Sequence, residues 1–285
     1  MRIVTKITKE NSAIGRLCEL PDEVSGLIFT PPKGVIFYES HGGAVGLIND
    51  DGTTQEIDRR IEIDSPIGMC NDKWGAAIFQ PSPDMLWKFS PTLSTGARIC
   101  GNRAFNEIKH LFPRDARQYT PIGLCRTSPD TVLMALPWCH KILVFDRSQL
   151  AGMIGSGKKG FASSSHPMAV RFDSPSGICV DAPSGMTLIS DTGNAVVRMF
   201  KGAKEVAIIG RPNVYGHSDG DADSARFSKP ATIRAELGRV FVADESEVRC
   251  FEVSTLCVST VYVAKTKIID LAVGGGSIYI LEDGQ

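Results

Sequence analysis

No stretch of this chain approaches the roughly 18 consecutive apolar residues needed to cross a bilayer. The opening residues, Met1-Arg-Ile-Val-Thr-Lys-Ile-Thr-Lys-Glu10, contain no apolar signal core. The expectation is a soluble protein that is neither secreted nor anchored and has no membrane partner. An excess of one charge is also missing: the formal net charge is -1, so nothing global steers the chain to nucleic acid or acidic membranes. Aromatic residues make up 7% of the chain, few for a surface built to stack on bases. No phosphate-binding loop and no His-Glu-x-x-His pair is present. Eight Cys are present, but Cys18, Cys100, Cys139, Cys250 and Cys257 show no Cys-x-x-Cys spacing and no paired metal pattern. Reduced thiols in a cytoplasmic, reducing compartment are expected.

What is present is a repeat. An apolar strand that follows a hairpin Gly is followed in turn by an apolar-x-x-Phe strand. The first copies are Gly34-Val-Ile-Phe-Tyr-Glu39 with Val45-Gly-Leu-Ile48, and Gly75-Ala-Ala-Ile-Phe-Gln80 with Leu86-Trp-Lys-Phe89. Then come Thr131–Leu136 with Ile142-Leu-Val-Phe145, Met186–Asp191 with Val197-Arg-Met-Phe200, and Arg239–Asp244 with Val248-Arg-Cys-Phe251. A sixth copy, Ser277–Glu282, reaches the last residues without a third strand. The third-strand residues Ile48, Phe89, Phe145, Phe200 and Phe251 lie 41, 56, 55 and 51 positions apart. Short β-branched and aromatic runs at such spacing leave no room for helices. A repeat of this length with strands missing from one copy predicts a closed ring of four-stranded antiparallel blades. The fold expected is an all-β, six-bladed β-propeller forming a single domain over residues 1–285.

Two details follow from the repeat. Ile3–Thr8 and Ile14–Cys18 precede the first blade and have no blade of their own, so they are expected to supply the missing strands of the sixth. Pairing the two ends within one blade removes open edges. Cys70, Cys125 and Cys179 share one repeat position on the inner strand, which places small apolar thiols in the seams between blades. The Gly beside them lets inner strands crowd together. The hairpin Gly residues 34, 75, 185, 238 and 276 are expected at positive φ.

Phe172-Asp-Ser-Pro-Ser-Gly-Ile-Cys-Val-Asp181 with Leu188-Ile-Ser-Asp-Thr-Gly-Asn194 resembles an NHL repeat. So does Gly216-His-Ser-Asp-Gly220 with Ala225-Arg-Phe227, Pro230 and Val240-Phe-Val-Ala-Asp244. Blades one to three follow the pattern only in outline, with Glu39, Gln80 and Pro137 where the family expects Asp after the second strand. Asp191 and Asp244 are therefore read as turn residues that bind backbone donors between the second and third strands, rather than as catalytic carboxylates.

Candidate function concentrates in the long loops between blades, residues 102–119, 156–173 and 211–229. They carry Arg103, Lys109, Arg114, Arg117, Lys158, Lys159 and His166, with Arg59 and Arg60 before blade two. Such a basic crescent can meet carboxylates or phosphates, although acidic residues in the same loops make it a mixed-charge face. Asp219-Gly-Asp-Ala-Asp223 alternates carboxylates as a Ca²⁺ loop does, without the downstream bidentate Glu. Some similar propellers are metal-dependent lactonases or lyases. Their chemistry would need His and carboxylates to converge on one ion, Ca²⁺ or Zn²⁺, and here His41, His140, Asp64 and Asp173 are the candidates. On the plainer reading His41 and His140 are exposed turn residues. The expectation is a non-enzymatic interaction platform or assembly subunit that needs no cofactor. It would bind another protein through the charged loops. A lactonase-like metal hydrolase or lyase in the central funnel, and single-stranded RNA binding on the basic face, are the alternatives.

Overall fold

The computed structural model describes residues 1–8, 13–30, 34–39, 45–56, 69–71, 77–82, 85–89, 96–100, 123–128, 130–147 and 149–284; from 69 to 100 strand pairing alone is described. In chain order the strands are β1 Arg2–Thr8, β2 Ile14–Leu20, β3 Val24–Thr30, β4 Gly34–Glu39, β5 Val45–Ile48 and β6 Thr54–Glu56. Next are β7 Met69–Asn71, β8 Ala77–Ser82, β9 Met85–Phe89, β10 Gly96–Cys100, β11 Leu124–Arg126 and β12 Thr131–Leu136. They continue with β13 Lys141–Asp146, β14 Gln149–Ile154, β15 Pro175–Asp181, β16 Met186–Asp191, β17 Val196–Lys201 and β18 Lys204–Ile209. The last are β19 Pro230–Glu236, β20 Arg239–Asp244, β21 Glu247–Glu252, β22 Ser259–Val263, β23 Ile268–Gly274 and β24 Ser277–Asp283. The architecture is all-β, with the four-stranded antiparallel blades of a propeller. No helix among the described residues is long and apolar enough to cross a membrane.

The chain divides into two compact units. The first comprises Met1–Pro121, Arg147–Gln149 and Ile268–Gln285, and the second Ile122–Asp146 with Leu150–Lys267. In the first unit the sheets run β3-β4-β5-β6, β10-β9-β8-β7 and β2-β1-β24-β23. The last of these is the shared blade that the repeat requires. β1 pairs with β24 from Arg2↔Asp283 to Thr8↔Ser277, so the edge that β24 would otherwise expose is covered. Thr5 Oγ1 donates to buried Glu282 Oε1 at 2.6 Å across this joint, and Arg2 pairs with Asp283. The core beneath is apolar, with Val4, Leu20, Leu27, Val35, Tyr279 and Leu281 packed together. Asp270 on β23 accepts the Leu27 N–H of β3 at 2.9 Å.

In the second unit the sheets run β11-β12-β13-β14, β15-β16-β17-β18 and β19-β20-β21-β22. Strands β16 and β20 are buried on both faces, as expected of β-branched and aromatic runs covered by neighbouring sheets on each side. One cluster joins Cys125, Leu133 and Ala135 to Ile178 and Ile189 of the following blade. Another joins Cys179 and Leu188 to Ile233 and Val240. Both thiols therefore lie in seams; Cys70 is described only by its strand pairing. At Gly123 and Gly177 an added Cβ would fall well inside contact distance of the Ser176 and Ala231 carbonyl oxygens of the next inner strand. Glycine is what allows that approach. Gly34, Gly185, Gly238 and Gly276 all have positive φ, as expected for the hairpins; Gly75 lies outside the described residues.

One detail differs from the sequence reading. The place that Asp191 occupies at the end of β16, just before a 3-10 turn, is occupied in β12 by buried Leu136 and not by Pro137. Pro137 opens the 3-10 turn itself, where its fixed φ suits a first helical position and its missing N–H costs nothing.

Candidate functional site

The candidate residues that the structure describes gather at one end of the second unit's strands. There the loops 155–174 and 210–229 return to the inner strands. Neither loop drifts: Gly155 N donates to Pro167 O at 3.0 Å, Ser156 N to Val170 O at 2.8 Å and Gly160 N to Phe172 O at 3.1 Å. In the second loop Gly210 N donates to Ala222 O at 2.8 Å, Arg226 N to Ser218 O at 2.9 Å and Gly216 N to Phe227 O at 3.1 Å.

Two arginines fix these loops from below. Arg198 on β17 is fully buried. Its Nη1 donates to Arg171 O at 2.7 Å and its Nη2 to Ala162 O at 3.0 Å, one carbonyl from each limb of the loop. Glu205 on β18 accepts from Nε and Nη2 at 2.5 and 3.0 Å, and Asp191 Oδ2 from Nη1 at 3.2 Å. The guanidinium also lies against the rings of Phe161 and Phe172. Arg249 on β21, equally buried, repeats the scheme one blade on. It donates to Arg226 O and Ser218 O, both at 2.8 Å, and to Asp219 Oδ1 at 2.7 Å, over the ring of Phe227. Sequence reading passed over both residues as members of apolar strands. An Arg in the second place of an apolar-x-x-Phe strand, present in blades four and five alone, was the available signal.

Asp191 and Asp244 bind backbone donors, as expected, but not those of the turn between the second and third strands. Asp191 Oδ1 accepts the Asp173 N–H at 2.7 Å, and Asp244 accepts those of Ser228 and Lys229 at 3.0 and 2.6 Å. These donors lie at the end of the inter-blade loop, not in the turn between second and third strands. Burial raises both carboxyls: Asp191 to about 6 against its bonds from Asn194, Asp173 and Arg198, and Asp244 upward against those from Ser228 and Lys229.

His140 is not an exposed turn residue. It closes the 3-10 turn Pro137–Cys139 at φ 55°, with its side chain only 17% exposed. Its Nδ1 accepts the Ser174 N–H at 3.0 Å and lies 4.0 Å from Asp173 Oδ1. Accepting at Nδ1 puts the proton of the neutral ring on Nε2. Burial lowers the imidazole's affinity for a second proton and Lys159 acts the same way, against the nearby Asp173. Lys159 Nζ lies 3.4 Å from Asp173 Oδ2, and Ser174 Oγ donates to Asp173 Oδ1 at 3.1 Å. The structure thus brings together His140, Asp173 and Lys159 of the sequence candidates. Lys158 and His166 are exposed on the same loop. His41, Asp64, Arg59, Arg60, Arg103, Lys109, Arg114 and Arg117 lie outside the described residues.

The Asp219–Asp223 run is used internally. Asp219 binds Arg249, the Thr260 N–H at 2.9 Å and Thr260 Oγ1 at 2.9 Å. Asp221 caps its own turn through Ser224 N at 2.8 Å and Asp223 N at 3.2 Å. No group of three or more His, Cys, Asp or Glu able to hold a metal ion occurs among the described residues. Gly216-His-Ser-Asp-Gly220 spells Gly-x-Ser-x-Gly, but it runs through a loop to the bridge Gly220↔Val258 and lacks the strand–turn–helix setting of a nucleophile elbow.

Apolar surface is exposed beside these polar groups. Val214 and Tyr215 are exposed, the latter by 58%, with Tyr215 OH donating to Gly193 O at 3.0 Å. Asn213 N donates to Asn194 O at 2.9 Å and Asn194 Nδ2 to Gly160 O at 3.0 Å. The 3-10 turn Thr192–Asn194 therefore ties to both loops, through Gly160 on one and Asn213 and Tyr215 on the other.

No protein-family model and no curated protein matches this chain. Solved structures do, at the level of fold. The chain is similar to a protein of unknown function from Bacteroides thetaiotaomicron: TM-score 0.64, 12% identity, covering 99% of this chain and 76% of that one. A chain of a nidogen/laminin complex gives TM-score 0.61 at 12% identity over 95% and 98%. Virginiamycin B lyase of Staphylococcus aureus gives 0.54 at 12% over 99% and 88%. The fold is a β-propeller. At such identities the likeness extends to the fold and no further.

Proposed function

We propose that this chain is a non-enzymatic, NHL-type propeller that works as a protein-binding platform or as a subunit of a larger assembly in a reducing, intracellular compartment. On this reading its blades are the six of one ring, joined where β1 pairs with β24. The observation that carries it is the pair of buried arginines. Arg198 and Arg249 hold two long loops by their backbones, while Tyr215, Val214, Lys158 and Lys159 remain exposed on them. Loops fixed before the partner arrives lose little entropy on binding. An exposed large ring and an aliphatic side chain on one loop, with ammonium groups on the other, form a composition suited to an interface centre and its rim. His166 is exposed on the first of these loops; Arg59, Arg60, Arg103, Lys109, Arg114 and Arg117 are carried in the proposal from the sequence, outside the described residues.

The test is a photo-crosslinker placed in turn at Tyr215 and at Leu237, which sits in the hairpin at the other end of its blade. A protein crosslinked from 215 but not 237, and lost on Lys158→Glu with Lys159→Glu, supports the platform. Crosslinking indifferent to the charge reversal sinks it. RNA in place of protein in the crosslinked product favours the nucleic-acid alternative.

A second reading rests on His140. A neutral imidazole with Asp173, Lys159 and Ser174 around it supplies the parts for proton transfer in a hydrolase or lyase. With a funnel metal, Ca²⁺ or Zn²⁺, His41 and Asp64 would have to join it. Elemental analysis of the purified protein separates the two readings: stoichiometric metal lost on His140→Ala favours the enzyme, and its absence leaves the platform.

A further inference from the structure

His217 lies on the loop 210–229 with both ring nitrogens facing carboxylates. Nδ1 is 3.3 Å from Glu247 Oε2 and 3.9 Å from Asp244 Oδ2, and Nε2 is 3.6 Å from Glu245 Oε2. A neutral imidazole donates from one nitrogen and presents a lone pair at the other. Between carboxylates on both sides, that lone pair faces an oxygen lone pair. The imidazolium donates from both nitrogens and fits. Glu247 Oε2 is buried and receives no hydrogen bond, so it is the oxygen that gains most from an Nδ1 proton.

The other charges around the ring leave this pull in place. Arg249 lies beneath, with Nη1 3.6 Å from Asp244 Oδ2 and Nε 3.8 Å from Glu247 Oε2, but its remaining donors serve Arg226 O, Ser218 O and Asp219. Lys229 Nζ is 3.4 Å from Glu245 Oε1. Two cations thus stand against the three carboxylates that face the ring, Asp244, Glu245 and Glu247.

We infer that His217 is a protonation-dependent latch. As the imidazolium it ties the loop 210–229 to the end of β20 and the start of β21, and as the neutral ring it leaves the loop to the Arg249 bonds and less firmly held. The same loop presents Val214 and Tyr215, so the latch sets how firmly that surface is held. This consequence for binding rests on the platform reading; the latch itself does not.

Hydrogen–deuterium exchange of the full chain tests it, with rates corrected for the intrinsic pH dependence. The reporters are the Gly216, Gly220 and Arg226 amides, which donate to Phe227 O, Val258 O and Ser218 O. Between about pH 5.5 and pH 8, where a histidine changes charge, their protection is expected to fall by roughly threefold or more. His217→Gln, which cannot take up a proton, should show the lower protection at both pH values. Glu247→Gln should retain part of the response. Asp244, raised by burial, is the competing titrating group; a pH response that persists unchanged in His217→Gln assigns the effect there and overturns the latch. So does pH-independent protection in the unaltered protein. Loss of crosslinking in the lysine reversals bears on the platform alone.

Discussion

Arg198 donates from Nη1 to the carbonyl of Arg171 at 2.7 Å, and one blade later Arg249 makes the same bond to Arg226 at 2.8 Å. Each guanidinium turns a long loop into an extension of the blade by adding side-chain donors to backbone carbonyls where the two limbs of the loop already pair. Arginine suits the task because its rigid fork reaches several acceptors at once and keeps its charge when buried.

The two anchors should not be worth the same. Removing Arg198 takes hydrogen bonds from Glu205, whose side chain is 7% exposed, and from the fully buried Asp191; Arg249 hydrogen-bonds the 48% exposed Asp219, while its buried neighbour Asp244 lies 3.6 Å away and keeps the Ser228 and Lys229 N–H groups. Breaking a buried pair from one side costs about 3–5 kcal/mol. Arg198→Met should therefore lower unfolding free energy by that order in a denaturant titration, and Arg249→Met by visibly less. Equal losses would mean that the carbonyl bonds, common to both, carry the effect instead of the stranded carboxylates.

Burial lifts the Asp191 carboxyl to about 6 from its ordinary 3.8. A raised folded-state value means that the native protein holds a proton which the unfolded chain gives up. Its contribution is therefore complete below about pH 3.8 and lost as pH climbs through about 6. The urea midpoint should decline over that window, and Asp191→Asn should flatten the decline. A carboxyl carbon resonance of Asp191 that titrates below pH 4 would remove the basis for the prediction.

The inner strands give a sharper steric test. A Cβ at Gly177 would collide with the Ala231 carbonyl, while one at Gly152 on β14 meets nothing within 4 Å. Gly177→Ala should cost about 1–3 kcal/mol through forced backbone shifts. Gly152→Ala should be neutral or gain up to roughly 1 kcal/mol from a less flexible unfolded chain. Thermal unfolding of the pair reads the difference directly.

What the sequence made legible was whatever repeats locally. Hairpin Gly34 and Gly185, the seam thiols Cys125 and Cys179, and the loan of β1 and β2 to β24 all follow from counting strands. What it hid depends on contacts between distant segments. Arg198 looks like one polar residue in an apolar strand until Ala162 and Arg171 arrive above it. His140 looks exposed until the Ser174 N–H reaches its ring from the next blade. The place of Leu136 was misread by one residue, because a proline in a short strand hides where pairing ends.

Thiol accessibility checks the seams with the least intervention. Burial pushes Cys179 up to about 12 and its side chain lies among Leu188, Ile233 and Val240, so neither thiolate nor reagent should be available there. Cys139, half-buried with its Sγ–H directed to Leu136 O at 3.8 Å, is pushed up to about 11. Cys257 is exposed in the turn before β22. Brief alkylation at neutral pH followed by peptide mapping should find Cys257 modified first, Cys139 slowly, and Cys125 and Cys179 only after denaturant is added. Native-state labelling of Cys179 at the rate of Cys257 would mean that the seam opens, and with it the close approach of Gly177 to the neighbouring strand.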